Sequence, residues 1–238
     1  MKRNIVFFAV LLLLIPMLVW GCAPEDVDPV EEPREEPVDE PIEPDEPLPS
    51  DPVDENGKPW MEEGLLEPEK TVTLVIEGME EELTLQLHVS SQFPYALYLD
   101  EERYRLEEKD GKDHIHPRVD VEPEVYMAIE YREAVEITNL LSALEAELVG
   151  AGADVQVEGW VEHPLPALHI YGIHGSAWDD AVERFYLMED GEDGVFIVQQ
   201  KLFVEAVEGH GARFDGILEE FLVWNREKGQ FLQPDLHK

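Results

Sequence analysis

Only one cysteine occurs among 238 residues, so no intramolecular disulfide can form. The folded part of the chain must be held by an apolar core, which argues against a small disulfide-stapled exported module. Basic residues are scarce as well: 17 Lys and Arg stand against 55 Asp and Glu, a formal net charge of -38. Affinity for nucleic acid comes largely from Lys and Arg neutralising phosphates, so nucleic acid is excluded as a partner. Anionic lipid headgroups repel the chain for the same reason, leaving hydrophobic or covalent attachment as its routes to a membrane. The longest apolar run, Ile5 to Trp20, has about 16 residues and contains Pro16, short of the roughly 20 that a spanning helix needs. There is no Gly-rich phosphate loop, no dinucleotide fingerprint and no Gly-x-Ser-x-Gly elbow. What remains is a chain with an ordinary hydrophobic fraction of 44%, long enough for one or two domains and free of internal repeats.

The apolar run follows Lys2 and Arg3, and this order fits a secretory signal better than a membrane span. It ends Leu18-Val19-Trp20-Gly21-Cys22. This resembles the lipobox of bacterial lipoproteins, although Trp20 departs from the usual pattern. The resemblance implies a signal peptide over residues 1–21 and a lipid-modified Cys22 at the mature amino terminus. The protein would then be held on the extracytoplasmic side of a bacterial cell membrane. Two or more acyl chains anchor a protein stably, whereas one does so marginally.

Residues 22–69 have a different composition. The stretch EEPREEPVDEPIEPDEPLPSDPVDE alternates acids with prolines. Proline fixes φ and removes backbone donors, like charges extend the chain, and little apolar material offsets the ordering entropy. This predicts a disordered tether with polyproline II character, reaching on the order of 100 Å at about 3.1 Å per residue.

Residues 70–238 read as a single domain. Val72, Leu74 and Ile76 alternate with polar positions, as do Leu83, Leu85, Leu87 and Val89 across the turn at Gly78, predicting a β-hairpin. Further strands are predicted at Tyr95–Leu99, Tyr104–Leu106 and Val125–Tyr131, with a hairpin turn at Asp110-Gly111. A helix over Glu133–Val149 carries Ile137, Leu140, Leu141, Leu144 and Leu148 on one stripe and stops at Gly150 and Gly152. Strands follow at Asp154–Glu162, Ala167–Ile173, Val182–Glu189 and Val195–Phe203, then a second helix over Glu205–Trp224 with Phe214, Ile217, Leu218, Phe221 and Leu222 as its stripe. Strands, helix, strands, helix make an α+β fold with a mainly antiparallel sheet, both helices packing on that sheet around one core.

This order, with Gly194-Val195-Phe196-Ile197-Val198, Glu205-Ala206-Val207-Glu208-Gly209-His210 and Phe214-Asp215-Gly216-Ile217-Leu218 as the last hairpin and helix, resembles the PsbP-like (Mog-type) α/β/α sandwich over about Thr71–Trp224. The resemblance implies an adaptor or binding role more often than catalysis, and it carries no catalytic residues to this chain.

Histidines are the best candidates for chemistry. His114 and His116 would share a face if they lay on a strand, and Asp113, His163, His169 or His174 are the potential third ligands of a metal-assisted hydrolase. With no defined ligand set, the pair reads instead as part of a polar loop leading to Pro117, and no cofactor is expected. Lipidation of Cys22 removes the only thiol nucleophile. The favoured reading is a membrane-anchored binding or adaptor module. Its candidate recognition surface is formed by the connections that hold His114, His116, His163, His174 and Trp178, if they gather at one end of the domain. A cationic partner is the electrostatic expectation for so acidic a domain.

Overall fold

The computed structural model describes residues 66–234. The signal peptide, Cys22 and nearly all of the tether lie outside these residues. The chain forms two antiparallel sheets. The smaller holds β1 (Glu69–Ile76), β2 (Met79–Val89), β3 (Tyr95–Leu99), β11 (Leu222–Asn225) and β12 (Gln230–Leu232), in that order. The larger runs β4 (Tyr104–Lys109), β5 (Lys112–Pro117), β6 (Tyr126–Glu133), β10 (Gly194–Phe203), β9 (Ala181–Glu189), β8 (Ala167–Ile173) and β7 (Asp154–Val161). Helix α1 (Ile137–Gly150) joins β6 to β7, and α2 (Ala212–Leu218) lies between β10 and β11. The class is α+β, as the sequence predicts.

Local chemistry explains the hairpins. Asp110 and Gly111 both take positive φ, 53° and 73°, and close β4 onto β5 with the backbone handedness that a two-residue hairpin favours. Glu77 and Gly78 do the same between β1 and β2, with φ of 51° and 78°. Between β9 and β10 the turn is held by a side chain: Asp190 Oδ1 accepts from the backbone N–H groups of Glu192 and Gly194, and Asp190 Oδ2 accepts from the Tyr131 hydroxyl at 2.6 Å.

The single sheet and single core of the sequence reading are replaced by two sheets and several apolar clusters. The main cluster lies between the sheets. Tyr95 from the smaller sheet stacks on Phe221, centroids 4.9 Å apart, and meets Phe196 of the larger sheet edge-on. Helix α1 covers the opposite face of the larger sheet, where Ile137, Leu140 and Leu148 bury Leu168, Ile170, Phe185, Leu187 and Ile197. Strands β8, β9 and β10 are therefore covered on both faces over part of their length, where the runs Phe185–Met188 and Val195–Val198 are continuously apolar, not alternating.

The second predicted helix is the main correction. The chain instead makes a 3₁₀ turn at Val204–Ala206, a π turn at Val207–Gly211, and α2, which ends at Leu218. Leu222–Asn225 then pairs with β3 as a strand, Leu222 opposite Ala96 and Val223 opposite Tyr95. Gly209, Gly211 and Gly216 lower helix propensity, and the free edge of β3 supplies backbone partners that a helix would forgo. Gly216 is there for close approach, since a Cβ would lie 2.5 Å from Leu74 Cδ1. Helix α1 also starts later than predicted, because Glu133 is the last residue of β6 and pairs with Gly194.

Candidate functional site

Strand pairing decides which of the predicted recognition residues meet. His114 and His116 are not in a loop. They lie on β5, two residues apart and therefore on one face. His114 is opposite Ala128, Ala128 is opposite Gln199, and Gln199 is opposite Phe185, which α1 covers. The two histidines thus occupy the α1 side of the larger sheet, on the part that α1 leaves open. Their rings are parallel within 7° with centroids 5.6 Å apart, and the Tyr126 ring from β6 sits 5.6 and 5.8 Å from them. Burial, then the neighbouring His116, Lys112 and Lys109, hold His114 below its ordinary pKa.

The open face continues across the sheet. Lys201 pairs with Tyr126 on one side and Glu183 on the other. Its ammonium lies 5.5 Å from the centre of the Tyr126 ring and 3.4 Å from Glu124. Glu183 is hydrogen-bonded to Gln199 at 3.0 Å and to His174 Nε2 at 3.1 Å. Trp178, in the β8–β9 connection, meets Phe203 edge-on at 6.2 Å and is 58% exposed. His114, His116, His174 and Trp178 therefore belong to one end of the larger sheet. His163 does not. It sits in the β7–β8 connection, at the other end of β8, 3.5 Å from Glu219.

That opposite end holds a cleft of about 780 Å³, within the size range of ligand sites. Met188, Val223 and Leu232 give it apolar wall, and Trp160 on β7 stands at its side with half of its surface exposed. Glu189, Asp190 and Glu192 line it against one cation, Lys228. Asp190 is engaged by the turn and Glu192 by Arg226 at 3.5 Å, while Glu189 is exposed with no side-chain partner among the described residues. No local pattern in the sequence singles out Trp160. Its place on an edge strand beside a bulge at Gly159 depends on long-range pairing.

Asp113, considered as a metal ligand, is fully buried between the sheets. It accepts hydrogen bonds from Ser90 Oγ at 2.7 Å, Tyr95 OH at 2.6 Å and Gln92 Nε2 at 2.9 Å. His169 Nδ1 is 2.8 Å from Glu158, and its ring stacks on Tyr186 at 4.5 Å. Neither joins His114 and His116. Among the described residues no group of three or more His, Cys, Asp or Glu side chains converges to hold a metal ion. No described helix is long and apolar enough to cross a membrane. No protein-family model matches this chain, and comparison with curated proteins finds no significant match.

Proposed function

We propose that the protein is a lipid-anchored, extracytoplasmic binding module, an adaptor and not an enzyme, which takes cationic partners in the Trp160 cleft. The observation that carries this reading is the cleft itself: a half-exposed indole beside apolar wall, rimmed by carboxylates that outnumber cations. An indole attracts ammonium and guanidinium groups through its negative face, and the carboxylates add charge complementarity. The chain's excess of acids raises the local concentration of cations around such a site.

Two measurements test the parts of this reading. Mass spectrometry of the native protein is expected to find a diacylglyceryl-modified Cys22 as the first residue, and an intact Met1 on membrane-extracted protein refutes the anchor. Titration with agmatine, a small guanidinium and amine probe, is expected to quench tryptophan fluorescence, with an affinity that weakens as salt rises. Trp160→Ala combined with Glu189→Gln is expected to abolish saturable binding. Unchanged binding in that variant, followed by calorimetry, refutes the cleft as the site.

A further inference from the structure

The described histidines differ in how their ring nitrogens are engaged. Among the described residues, His163, His169, His174 and His210 each use a ring nitrogen on a side-chain partner: Glu219, Glu158, Glu183 and the Tyr104 hydroxyl. His88 is turned inward with its Nε2 buried. His114 and His116 differ. They are partly exposed, their aromatic neighbours are each other and Tyr126, and among the described residues no hydrogen bond or ion pair engages their nitrogens. Two imidazoles whose nitrogens have no partner among the described residues stand side by side on one face of β5, a strand paired on both sides.

We propose that His114 and His116 chelate one late first-row divalent cation, with Cu²⁺ preferred over Zn²⁺, in an open site on the uncovered face of the larger sheet. The spacing suits it. Imidazoles that share one metal at 2.0–2.1 Å place their ring centres roughly 5 Å apart, and these lie 5.6 Å apart. The rings stand parallel, so one or both must turn about χ2 to bring a nitrogen of each to the same metal. Strand β5 is paired on both sides, by β4 and by β6, so its backbone does not need ordering at the moment of binding. Imidazole pairs select Cu²⁺ and Zn²⁺ over Mg²⁺ and Ca²⁺, which require oxygen ligands, and Cu²⁺ stands highest in the affinity order. The nearby cations do not block the site: Lys112 is held by Glu130 at 3.1 Å, and Lys201 by Glu124 and the Tyr126 ring. Two protein ligands leave the other coordination positions to water or to a donor from a partner. The site is exchangeable, unlike a closed structural zinc site.

The test is calorimetric titration of the untagged, purified protein with Cu²⁺, Zn²⁺ and Mg²⁺. One equivalent of Cu²⁺ is expected to bind, more tightly than Zn²⁺, with excess Mg²⁺ unable to compete. His114→Gln and His116→Gln are each expected to weaken Cu²⁺ binding by roughly tenfold or more, and His163→Gln to leave it unchanged. In the unaltered protein, substoichiometric Cu²⁺ is expected to broaden the imidazole proton resonances of His114 and His116 before those of the other histidines, a readout independent of how the variants fold. Absence of a stoichiometric Cu²⁺ site overturns the proposal. So does competition by Mg²⁺, which would assign binding to carboxylates. Broadening that starts at any other histidine overturns it as well.

Discussion

Replacing Asp113 with Ala is expected to loosen the join between the two sheets. Asp113 belongs to β5 of the larger sheet, while Ser90, Gln92 and Tyr95 belong to β3 of the smaller sheet and the connection that leads into it. The Ser90 hydroxyl also accepts from the backbone N–H groups of Gln92 and Phe93 at 3.3 and 3.2 Å, so the carboxylate organises the whole connection. Truncation leaves at least two buried hydroxyl donors unpaired, each costing about 1–3 kcal/mol, and removes bonds strengthened by charge. The expected loss is about 3–5 kcal/mol. At roughly 2–4 °C per kcal/mol for a domain of this size, that is a fall of about 6–20 °C in Tm. Asp113→Asn distinguishes hydrogen bonding from mere shape. Its single carbonyl oxygen can accept from Ser90 and Tyr95, and its amide can donate to Gln92 once that side chain flips, so the loss is expected to be only about 1–2 kcal/mol. Urea unfolding followed by tryptophan fluorescence gives both values, and Tyr95→Phe in each background measures the coupling. Asn and Ala variants of equal stability, or an Ala variant within about 0.5 kcal/mol of the parent, would refute the account.

Two further outcomes follow from burial and charge. Phe221, 1% exposed and stacked on Tyr95, is expected to cost about 3–5 kcal/mol on truncation to Ala, whereas the exposed Trp178→Ala should stay within about 1 kcal/mol; thermal melts that rank them the other way would place Trp178 in the core. Burial, outweighing the attraction of Asp113 and Glu108, holds His88 below its ordinary pKa of 6.5. The unfolded chain then takes up a proton below about pH 6.5 that the folded chain refuses, so the contribution of His88 to stability is full above that pH and declines as pH falls through it. Melts between pH 7.5 and 5.5 are expected to show a declining Tm and a shallower slope in His88→Leu. An identical slope in that variant would assign the decline to other groups.

Much of the fold is legible locally. Asp110-Gly111 specifies a hairpin because its residues tolerate positive φ, and the stripe through Ile137, Leu140 and Leu148 specifies α1 because only one side of it can be buried. The region after Glu205 is not legible in this way. Phe221 to Trp224 is a continuous apolar run, whose periodicity fits a buried helix or a strand equally, and the vacancy beside β3 decides between them. The sequence places His114 and His116 in a loop because a short segment between Asp113 and Pro117 carries no strong alternation of its own. The middle of β5 is a strand because β4 and β6 offer it backbone partners on both sides.

By itself the sequence determined the charge, the absence of disulfides, the α+β class and most hairpins, all of which depend on residue type and near neighbours. The tertiary structure alone decided that there are two sheets, that α1 leaves part of one face open, and that His163 is parted from His114, His116 and His174. Each of these depends on strand order and register, which bring together residues far apart in the chain, and periodicity along a single segment does not encode which strand will lie beside it.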